Sequence, residues 1–356
     1  MITYILVRIG LILITLIGIM FINFALLNLL NVGVIETVMV ETENFAFNLG
    51  AQQITPDLQA TYLSQLQEHF GLNQSLGLRF ITMLKNYLLF DFGESFFLGE
   101  QVVTLILKAL PVSLSLGFFS TLIIYGIAIL LGAKKAAYHQ SIFDNMSSLF
   151  LVILYVIPVF CMSLLLIYIT FNFKPFRMFQ VVGLVSENFK NLSLIGKILD
   201  YFKHMALPML ANVLSALFFA TMLSKAAFFK EINQTYYKFA LFLRQPQFTL
   251  CKDNYLAKHL MKNSALGYGF IIKNVSIILF ADFPSIFIGM VFGSSLFIEI
   301  IFSLNGIGLL GYEAFLNKDY PIILAITYLI CVIGLITRLI TDILYAILDP
   351  RVRLQL

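Results

Sequence analysis

Long apolar runs dominate this chain, and they are long enough to cross a lipid bilayer as helices. A bilayer core about 30 Å thick needs about 20 apolar residues, since a helix rises about 1.5 Å per residue. A run of that length occurs six times in the 356 residues. The runs lie at about 9–30, 111–133, 146–171, 206–223, 274–298 and 321–348. The pattern predicts an all-α membrane protein with six transmembrane helices, forming one domain over residues 1–356.

The composition agrees with a surface that largely faces lipid. Charged residues are 12% of the chain and hydrophobic residues 60%, whereas soluble domains carry about 25% charged residues. The 23 basic and 19 acidic residues leave a net charge of +4. That charge is too small to indicate a nucleic-acid partner. We therefore expect membrane lipid, and not nucleic acid, among the partners.

The distribution of charge predicts which loops face the cytoplasm. Cytoplasmic loops of membrane proteins carry an excess of Lys and Arg. Segment 225–262 contains seven basic and two acidic residues, whereas segment 31–110 contains three basic and eight acidic ones. We expect the first segment inside and the second outside. With six spans both termini are then cytoplasmic, which agrees with Arg8 near one end and with Arg351 and Arg353 near the other.

The external segment 31–110 has the pattern of helices rather than of a linker. Thr55 followed by Pro56 is typical of a helix start, because proline fits the first helical position. Apolar side chains then recur every fourth residue, at Leu58, Tyr62, Leu66 and Phe70. A second amphipathic stretch runs from about 78 to 90. This helical extracytoplasmic segment forms either a lid or docking surface for a partner, or a cap that packs on the bundle.

Three residues of the fifth apolar run are candidates for a translocation pathway. Charge at membrane depth is costly, and charged residues there usually face an interior or an aqueous path. Asp282 lies two residues before Pro284, whose ring removes a helical hydrogen bond and can bend the helix. A pathway-lining role and a buried hydrogen-bonding role for Asp282 are both open. Glu299 closes the run at its outer end, where it lines the pathway or lies at the interface.

The sequence offers no recognisable catalytic or cofactor site. The pattern Gly-x-x-x-x-Gly-Lys-Ser/Thr, which cradles nucleotide phosphates, does not occur. The three cysteines and four histidines have neither zinc-site spacing nor the arrangement of a catalytic nucleophile with its base. We therefore predict a transport subunit that is not an enzyme and binds no cofactor or metal itself.

Several short segments follow one another in an order that resembles a known family. They are YILVR at 4–8, FGLN at 70–73, DFGES at 91–95, LPVSL at 110–114, IFSLNGIGLLGYE at 301–313, KDYP at 318–321 and LDPRVR at 348–353. Together they resemble the permeases of ATP-binding-cassette (ABC) importers for dipeptides and oligopeptides. The run 303–313 and VGLVS at 182–186 look closest to the B-type permease of microcin C-type peptide importers.

The resemblance implies a type I ABC importer fold and a division of labour among several chains. This chain would pair with a second permease subunit, with two cytoplasmic ATPase subunits that bind ATP and magnesium, and with an extracytoplasmic solute-binding protein. It would lie in the bacterial cytoplasmic membrane and carry peptides by alternating access.

The resemblance also implies a coupling region in the cytoplasmic loop 225–272, although the sequence departs from the family there. The family's Ala-x-Ala-Lys-Gly-Leu pattern is missing, and no glycine occurs between Lys225 and Leu266. Segment 258–266 resembles the family's His-to-Asn end, but Lys273 and Asn274 fit the spacing to the fifth run better. The second placement makes 247–266 the coupling region. The candidate ATPase-coupling residues are Arg244, Gln247, Lys252, Lys258, His259, Lys262 and Asn263.

An ion-coupled secondary transporter or a channel is the alternative function. Asp282 and Lys273 would then be ion-pathway residues. Such carriers are often built from two repeated halves with broken helices. Pro158 and Pro284 supply one proline in each half, but the sequence around them does not repeat.

Overall fold

The computed structural model shows a chain built from helices. The described residues are 6–26, 75–173, 179, 181–235, 275, 278–279, 281–293 and 295–348. Their main helices are α1 (Leu6–Leu26), α2 (Leu76–Leu88), α3 (Val102–Ala137), α4 (Ile142–Val156), α5 (Val159–Asn172), α6 (Leu194–Ile232), α7 (Ala281–Phe302), α8 (Ile307–Leu316) and α9 (Tyr320–Leu348). Within these residues, five helices are long and apolar enough to cross a membrane, or six when α4 and α5 form one bent span. The protein is an all-helical membrane protein.

Two helices extend well beyond the apolar runs that they contain. α3 has 36 residues around the run 111–133, and α6 has 39 residues around the run 206–223. At about 1.5 Å per residue both exceed the roughly 30 Å core of a bilayer. α6 begins at Leu194, in the connection between the third and fourth apolar runs, and continues to Ile232. The first residues of the expected cytoplasmic loop 225–272 are therefore helical.

The described residues divide into two compact units. The larger includes the described residues within 106–313 and 333–348, and the smaller includes those within 6–105 and 314–332. An aromatic cluster lies in the smaller unit, where the ring centroids of Tyr87 and Phe92 are 5.0 Å apart and those of Tyr87 and Tyr328 are 5.3 Å apart. Burial, with a smaller contribution from Tyr328, raises the pKa of the Tyr87 phenol. Tyr87 therefore packs as a neutral aromatic side chain.

In the larger unit, α3 and α6 run parallel to each other. Near their starts, the hydroxyls of Ser115 and Tyr201 are hydrogen-bonded. Near their ends, Gly132 packs so closely on α6 that a Cβ added there would lie 2.4 Å from Ser224 Oγ. Small residues allow two membrane helices to approach in this way. The N-terminal half of α3 therefore contacts the N-terminal half of α6, and the C-terminal ends contact each other. The two helices thus run in the same direction.

α7 runs antiparallel to α3. Tyr125, in the second half of α3, donates its hydroxyl hydrogen to the carbonyl of Leu279, just before α7. Ser113, early in α3, donates to Glu299 near the end of α7. Between these contacts, Gly117 faces Val291. The end of α6 and the start of α7, which are joined by the segment that contains the predicted coupling region, thus lie toward the same end of α3.

The apolar run 146–171 is one stretch in the sequence but two helices in space. α4 and α5 have 15 and 14 residues and are bent by 98° at the break between them. Pro158 lies at this break, immediately before α5. Proline lacks a backbone N–H, and at this position a helix does not need one for its hydrogen bonds. Each helix is only about 22 Å long, which is too short to cross a bilayer alone.

Candidate functional site

The predicted pathway residues Asp282 and Pro284 lie near the beginning of α7. Asp282 is partly buried and Pro284 is buried. The ring of the neighbouring Phe283 lies 5.9 Å from that of Tyr125 on α3, and the Tyr125 hydroxyl donates to Leu279 O at 3.3 Å. Asp282 is therefore close to the contact between α3 and α7. Lining of a pathway by Asp282 and Pro284 stays a prediction.

The middle of α7 departs from regular helix geometry. Residues Gly289–Gly293 form a π-helical turn, which places one extra residue in the turn of the helix. Such turns are frequent at functional sites. The buried Val291 projects from this turn, and a Cβ added at Gly117 would lie 2.2 Å from Val291 Cγ2. The irregular turn is thus held against α3 at a position where only glycine fits.

The third predicted pathway residue, Glu299, is fully buried between α3, α7 and α8. Ser113 Oγ donates to Glu299 Oε1 at 2.6 Å, and the backbone N–H of Leu309 donates to Glu299 Oε2 at 2.9 Å. Ser113 Oγ in turn accepts the N–H of Ile307 at 2.7 Å. Glu299 and Ser113 together bind two backbone N–H groups at the start of α8, which lack partners within their own helix. The structure does not place Glu299 at a lipid or water interface, because 0% of it is exposed.

The glycines of the family-like run 301–313 make room for this carboxylate. A Cβ added at Gly306 would lie 2.4 Å from the Glu299 carboxyl carbon, and one at Gly308 would lie 2.7 Å from Leu296 Cα. Ser303 ends α7 with a φ of 53°, which turns the chain sharply toward α8. The run therefore wraps the end of α7. We call Ser113, Glu299, Ile307 and Leu309 the Glu299 cluster.

Several of the described segments that carry the family resemblance contact one another. LPVSL at 110–114 supplies Ser113 to the Glu299 cluster, and VGLVS at 182–186 attaches to the end of α7 through Gly183 N and Phe302 O at 3.0 Å. In the smaller unit, Ser95 of DFGES donates to Asp319 of KDYP at 2.5 Å. These four patterns and the run 301–313 thus lie at junctions between helices, whereas FGLN at 70–73 and 349–353 of LDPRVR lie outside the described residues.

A second buried polar cluster joins α3, α4 and α6 and was not identified from the sequence. Lys225 Nζ lies 2.8 Å and 2.7 Å from Asp144 Oδ1 and Oδ2. Lys135 Nζ lies 3.2 Å from Asp144 Oδ1 and donates to the hydroxyls of Ser147 and Ser148 at 2.7 Å each. The side chains of Lys135, Asp144 and Lys225 are 0%, 3% and 18% exposed. We call these three residues the Asp144 cluster.

Further contacts fix the position of Asp144. Lys135 Nζ also donates to the Asp144 carbonyl at 2.9 Å, and Gln140 N donates to Asp144 Oδ2 at 3.1 Å. His139 Nδ1 lies 3.6 Å from Asp144 Oδ2. Ser141 precedes α4 and accepts the N–H of Asp144, which is a typical helix N-cap. In the sequence, the pattern of Ser141 followed three residues later by Asp144 indicates a helix start at this place, but not the partners of Asp144.

The expectation that Lys225 belongs to the basic cytoplasmic loop is corrected by this geometry. Lys225 lies within α6, and its ammonium group is bound to a buried carboxylate. The candidate coupling residues themselves all lie outside the described residues. These are Arg244, Gln247, Lys252, Lys258, His259, Lys262 and Asn263. Their contact with an ATPase subunit stays a prediction, as does the helix start at Thr55.

The described part of the chain contains no group of three or more His, Cys, Asp or Glu side chains that could bind a metal ion. The buried charges instead bind one another or backbone N–H groups. The arrangement is thus suited to holding helices together at their ends.

Comparison with known proteins gives consistent relatives. A family model described as binding-protein-dependent transport system inner membrane component matches residues 124–267 and 268–354. The inner membrane ABC transporter permease protein YejB of Escherichia coli O157:H7 is 39% identical over 303 residues, which are 85% of this chain and 78% of the relative. The peptidoglycan transport system permease protein YejB of Agrobacterium fabrum is 36% identical over 98% of this chain and 97% of its own length. The dipeptide transport system permease protein DppB of Lactococcus lactis is 26% identical over 99% of this chain and 100% of its own length.

Proposed function

The chain belongs to the family of binding-protein-dependent transport system inner membrane components, and we propose that it is the peptide-carrying permease subunit of an ATP-driven importer. Members of the family are the membrane permeases of ABC importers and work with a partner permease, ATPases and a binding protein. The observation that carries the peptide assignment is similarity over almost the whole chain to permeases whose names refer to dipeptides or peptidoglycan. Oligopeptides and microcin C-like peptides are the substrates that we propose.

We propose six spans with both termini in the cytoplasm. α3 and α6 are parallel, so the chain must return across the membrane between the end of one and the start of the other. The bent pair α4–α5 is the apolar part of that connection. α8 has only 10 residues and is too short to cross, so α9 starts on the side where α7 ends. In this proposal the α3–α4 and α6–α7 connections are cytoplasmic, and the segment before α3 is external.

The proposed mechanism is alternating access, in which partner ATPases bind ATP and magnesium while this chain binds neither. The segment between α6 and α7 is the proposed ATPase contact because of its six basic residues and its place in the family. ATP-driven movement of this segment is expected to rock the spans around a central path. Asp282 and Pro284 are the proposed pathway residues near the beginning of α7. Glu299 is fully buried, so we propose that it supports the outer end of this path by holding α7 to α8 rather than by lining it.

Reconstitution tests this function directly. Proteoliposomes containing this chain, a partner permease, two ATPase subunits and the binding protein should accumulate labelled tri- to pentapeptides only when ATP is present. Parallel assays with microcin C and with a cell-wall peptide would show which class of peptide the importer carries. Peptide uptake by vesicles that contain this subunit alone and no nucleotide would instead support an ion-coupled carrier.

A deletion tests the ATPase contact. Removing residues 247–266 should abolish co-purification of the ATPase subunits. Replacing Lys252, Lys258 and Lys262 by Gln is the matched variant that keeps the loop length. If ATPases bound the deletion variant as well as they bind the wild type, the coupling region would lie elsewhere.

A further inference from the structure

The Asp144 cluster lies where the helix that leads into the proposed coupling segment meets the turn between α3 and α4. Lys225 is seven residues before the end of α6 at Ile232, and the proposed coupling segment follows. Lys135 is near the end of α3, and Asp144 is in the first turn of α4. One carboxylate on α4 thus contacts charged groups from two other helices, α3 and α6. Any displacement of the end of α6 acts directly on the start of α4.

The buried charges make the contact between α6 and α4 specific and oppose displacement of one helix along the other. Two ammonium groups share one carboxylate that is only 3% exposed, so the energy of each ion pair is screened less than at the surface. Both Asp144 oxygens are within hydrogen-bond distance of Lys225 Nζ. Shifting α6 along α4 by even one turn, about 5.4 Å, would leave buried charges without partners. The cluster therefore favours movement of these helix ends as a unit.

Backbone packing reinforces the same junction. A Cβ added at Gly132 on α3 would lie 2.8 Å from the backbone nitrogen of Lys225. The rings of His139 and Phe229 lie 4.3 Å apart, which joins the α3–α4 turn to the last turns of α6. Apolar contact also surrounds the cluster on this side, since Ala136 and Phe228 belong to one buried group. The ion pairs are thus held in a fixed frame.

We propose that the Asp144 cluster is a positioning element that couples the end of α6 to the bent pair α4–α5 during transport. It rests on the proposed function, because the driving movement comes from partner ATPases. Movement of the coupling segment is passed by Lys225 to Asp144 and then to α4, whose break from α5 at Pro158 allows the two helices to change their angle. Lys135 retains the carboxylate while Lys225 pulls on it. None of the three residues contacts substrate in this proposal.

The first test separates coupling from folding. The double variant Asp144→Asn/Lys225→Met removes the pair as a unit and leaves Lys135 with the hydroxyls of Ser147 and Ser148 and the Asp144 carbonyl. In the reconstituted complex, we expect ATP hydrolysis within about twofold of wild type while peptide taken up per ATP falls about fivefold or more, a typical allosteric coupling. Lys225→Arg should retain coupling, and Lys134→Met, which removes an exposed charge next to Lys135, should be unaffected. Equal loss of hydrolysis, uptake and assembled complex in the double variant would show a merely structural role and overturn the proposal.

The second test does not depend on transport. Spin labels at Asn145→Cys on α4 and Lys230→Cys on α6, both exposed positions, report the separation of the two helix ends. In the Asp144-intact protein we expect one narrow distance distribution that stays the same with and without ATP and bound ATPases, and a broad one in the double variant. A separation that changes as freely in the intact protein as in the variant would contradict the proposal. Failure of the ATPases to bind the intact protein would instead contradict the proposed function. The widths of the two distance distributions, in the intact protein and in the double variant, would still test the role of the Asp144 cluster.

Discussion

At the scale of single residues, a carboxylate withdrawn from lipid and water needs hydrogen-bond donors, and Glu299 obtains them from the start of α8. An ionised or partly ionised carboxylate also interacts favourably with the positive end of a helix dipole. The donors reach it only because Gly306 and Gly308 allow the chain to pass within van der Waals contact of α7. The two glycines and the carboxylate therefore act as one structural feature.

Replacing Gly308 by Ala should destabilise the protein by about 1–3 kcal/mol, the usual cost of forcing extra atoms into a packed site. The new Cβ would lie 2.7 Å from Leu296 Cα, and a backbone atom cannot move aside as a side chain can. The measurement is the thermal unfolding midpoint of the purified protein in one detergent.

Gly126→Ala on α3 is the matched control, because nothing lies within 4 Å of its added Cβ. Alanine favours a helix over glycine by about 1 kcal/mol, so this variant should be as stable as wild type or slightly more so. A Gly308→Ala protein as stable as the control would contradict the packing described for the Glu299 cluster.

At the scale of helices, close approach between α3 and α6 depends on small side chains at the point of contact. In a membrane, helix association relies on van der Waals packing and hydrogen bonds rather than on the hydrophobic effect. Gly132 and Ser224 provide such a contact close to the Asp144 cluster, so separating these helices should disturb Lys225 as well.

Gly132→Ala should therefore lower stability by about 1–3 kcal/mol, since its Cβ would lie 2.4 Å from Ser224 Oγ and 2.8 Å from the backbone nitrogen of Lys225. Adding Ser224→Gly removes the first clash and leaves the second, so the double variant should recover part of the loss. Detergent unfolding midpoints of the two single variants and the double variant measure this interaction. Purely additive effects would mean that the two positions do not touch.

The helices themselves were largely predictable, whereas their junctions were not. The apolar runs 111–133 and 206–223 lie inside α3 and α6 because a run of that length in lipid has to form helix. The 98° bend at Pro158 could not be read from the sequence, since proline shows where a helix can break but not by what angle. Pairing of Asp144 with Lys225 joins residues 81 positions apart, so it depends on how the helices pack. The charge of Glu299 distinguishes it within an apolar sequence, but its partners at the start of α8 depend on how α7 and α8 pack.

At the scale of the whole molecule, the direction of each helix constrains how the chain is threaded through the membrane. α3 and α6 are parallel, and α7 is antiparallel to α3. Starting from an external segment before α3, this path requires that α4 and α5 together carry the chain outward once. The charge distribution, with its basic segment after α6, leads independently to the same orientation.

Cysteine labelling distinguishes six spans from five. In a variant whose native Cys161, Cys251 and Cys331 are replaced by Ser, single cysteines at the exposed positions Glu94, Glu187 and Lys230 report three connections. A membrane-impermeant maleimide applied to intact spheroplasts should label Glu94→Cys and Glu187→Cys, because both precede a helix that starts outside. Lys230→Cys should react only after the membrane is permeabilised. If Glu187→Cys were protected while Glu94→Cys was labelled, the α4–α5 pair would return to the side on which it entered. α6 would then cross outward and contradict its parallel packing with α3, so this one position tests the count of spans, the orientation and the packing together.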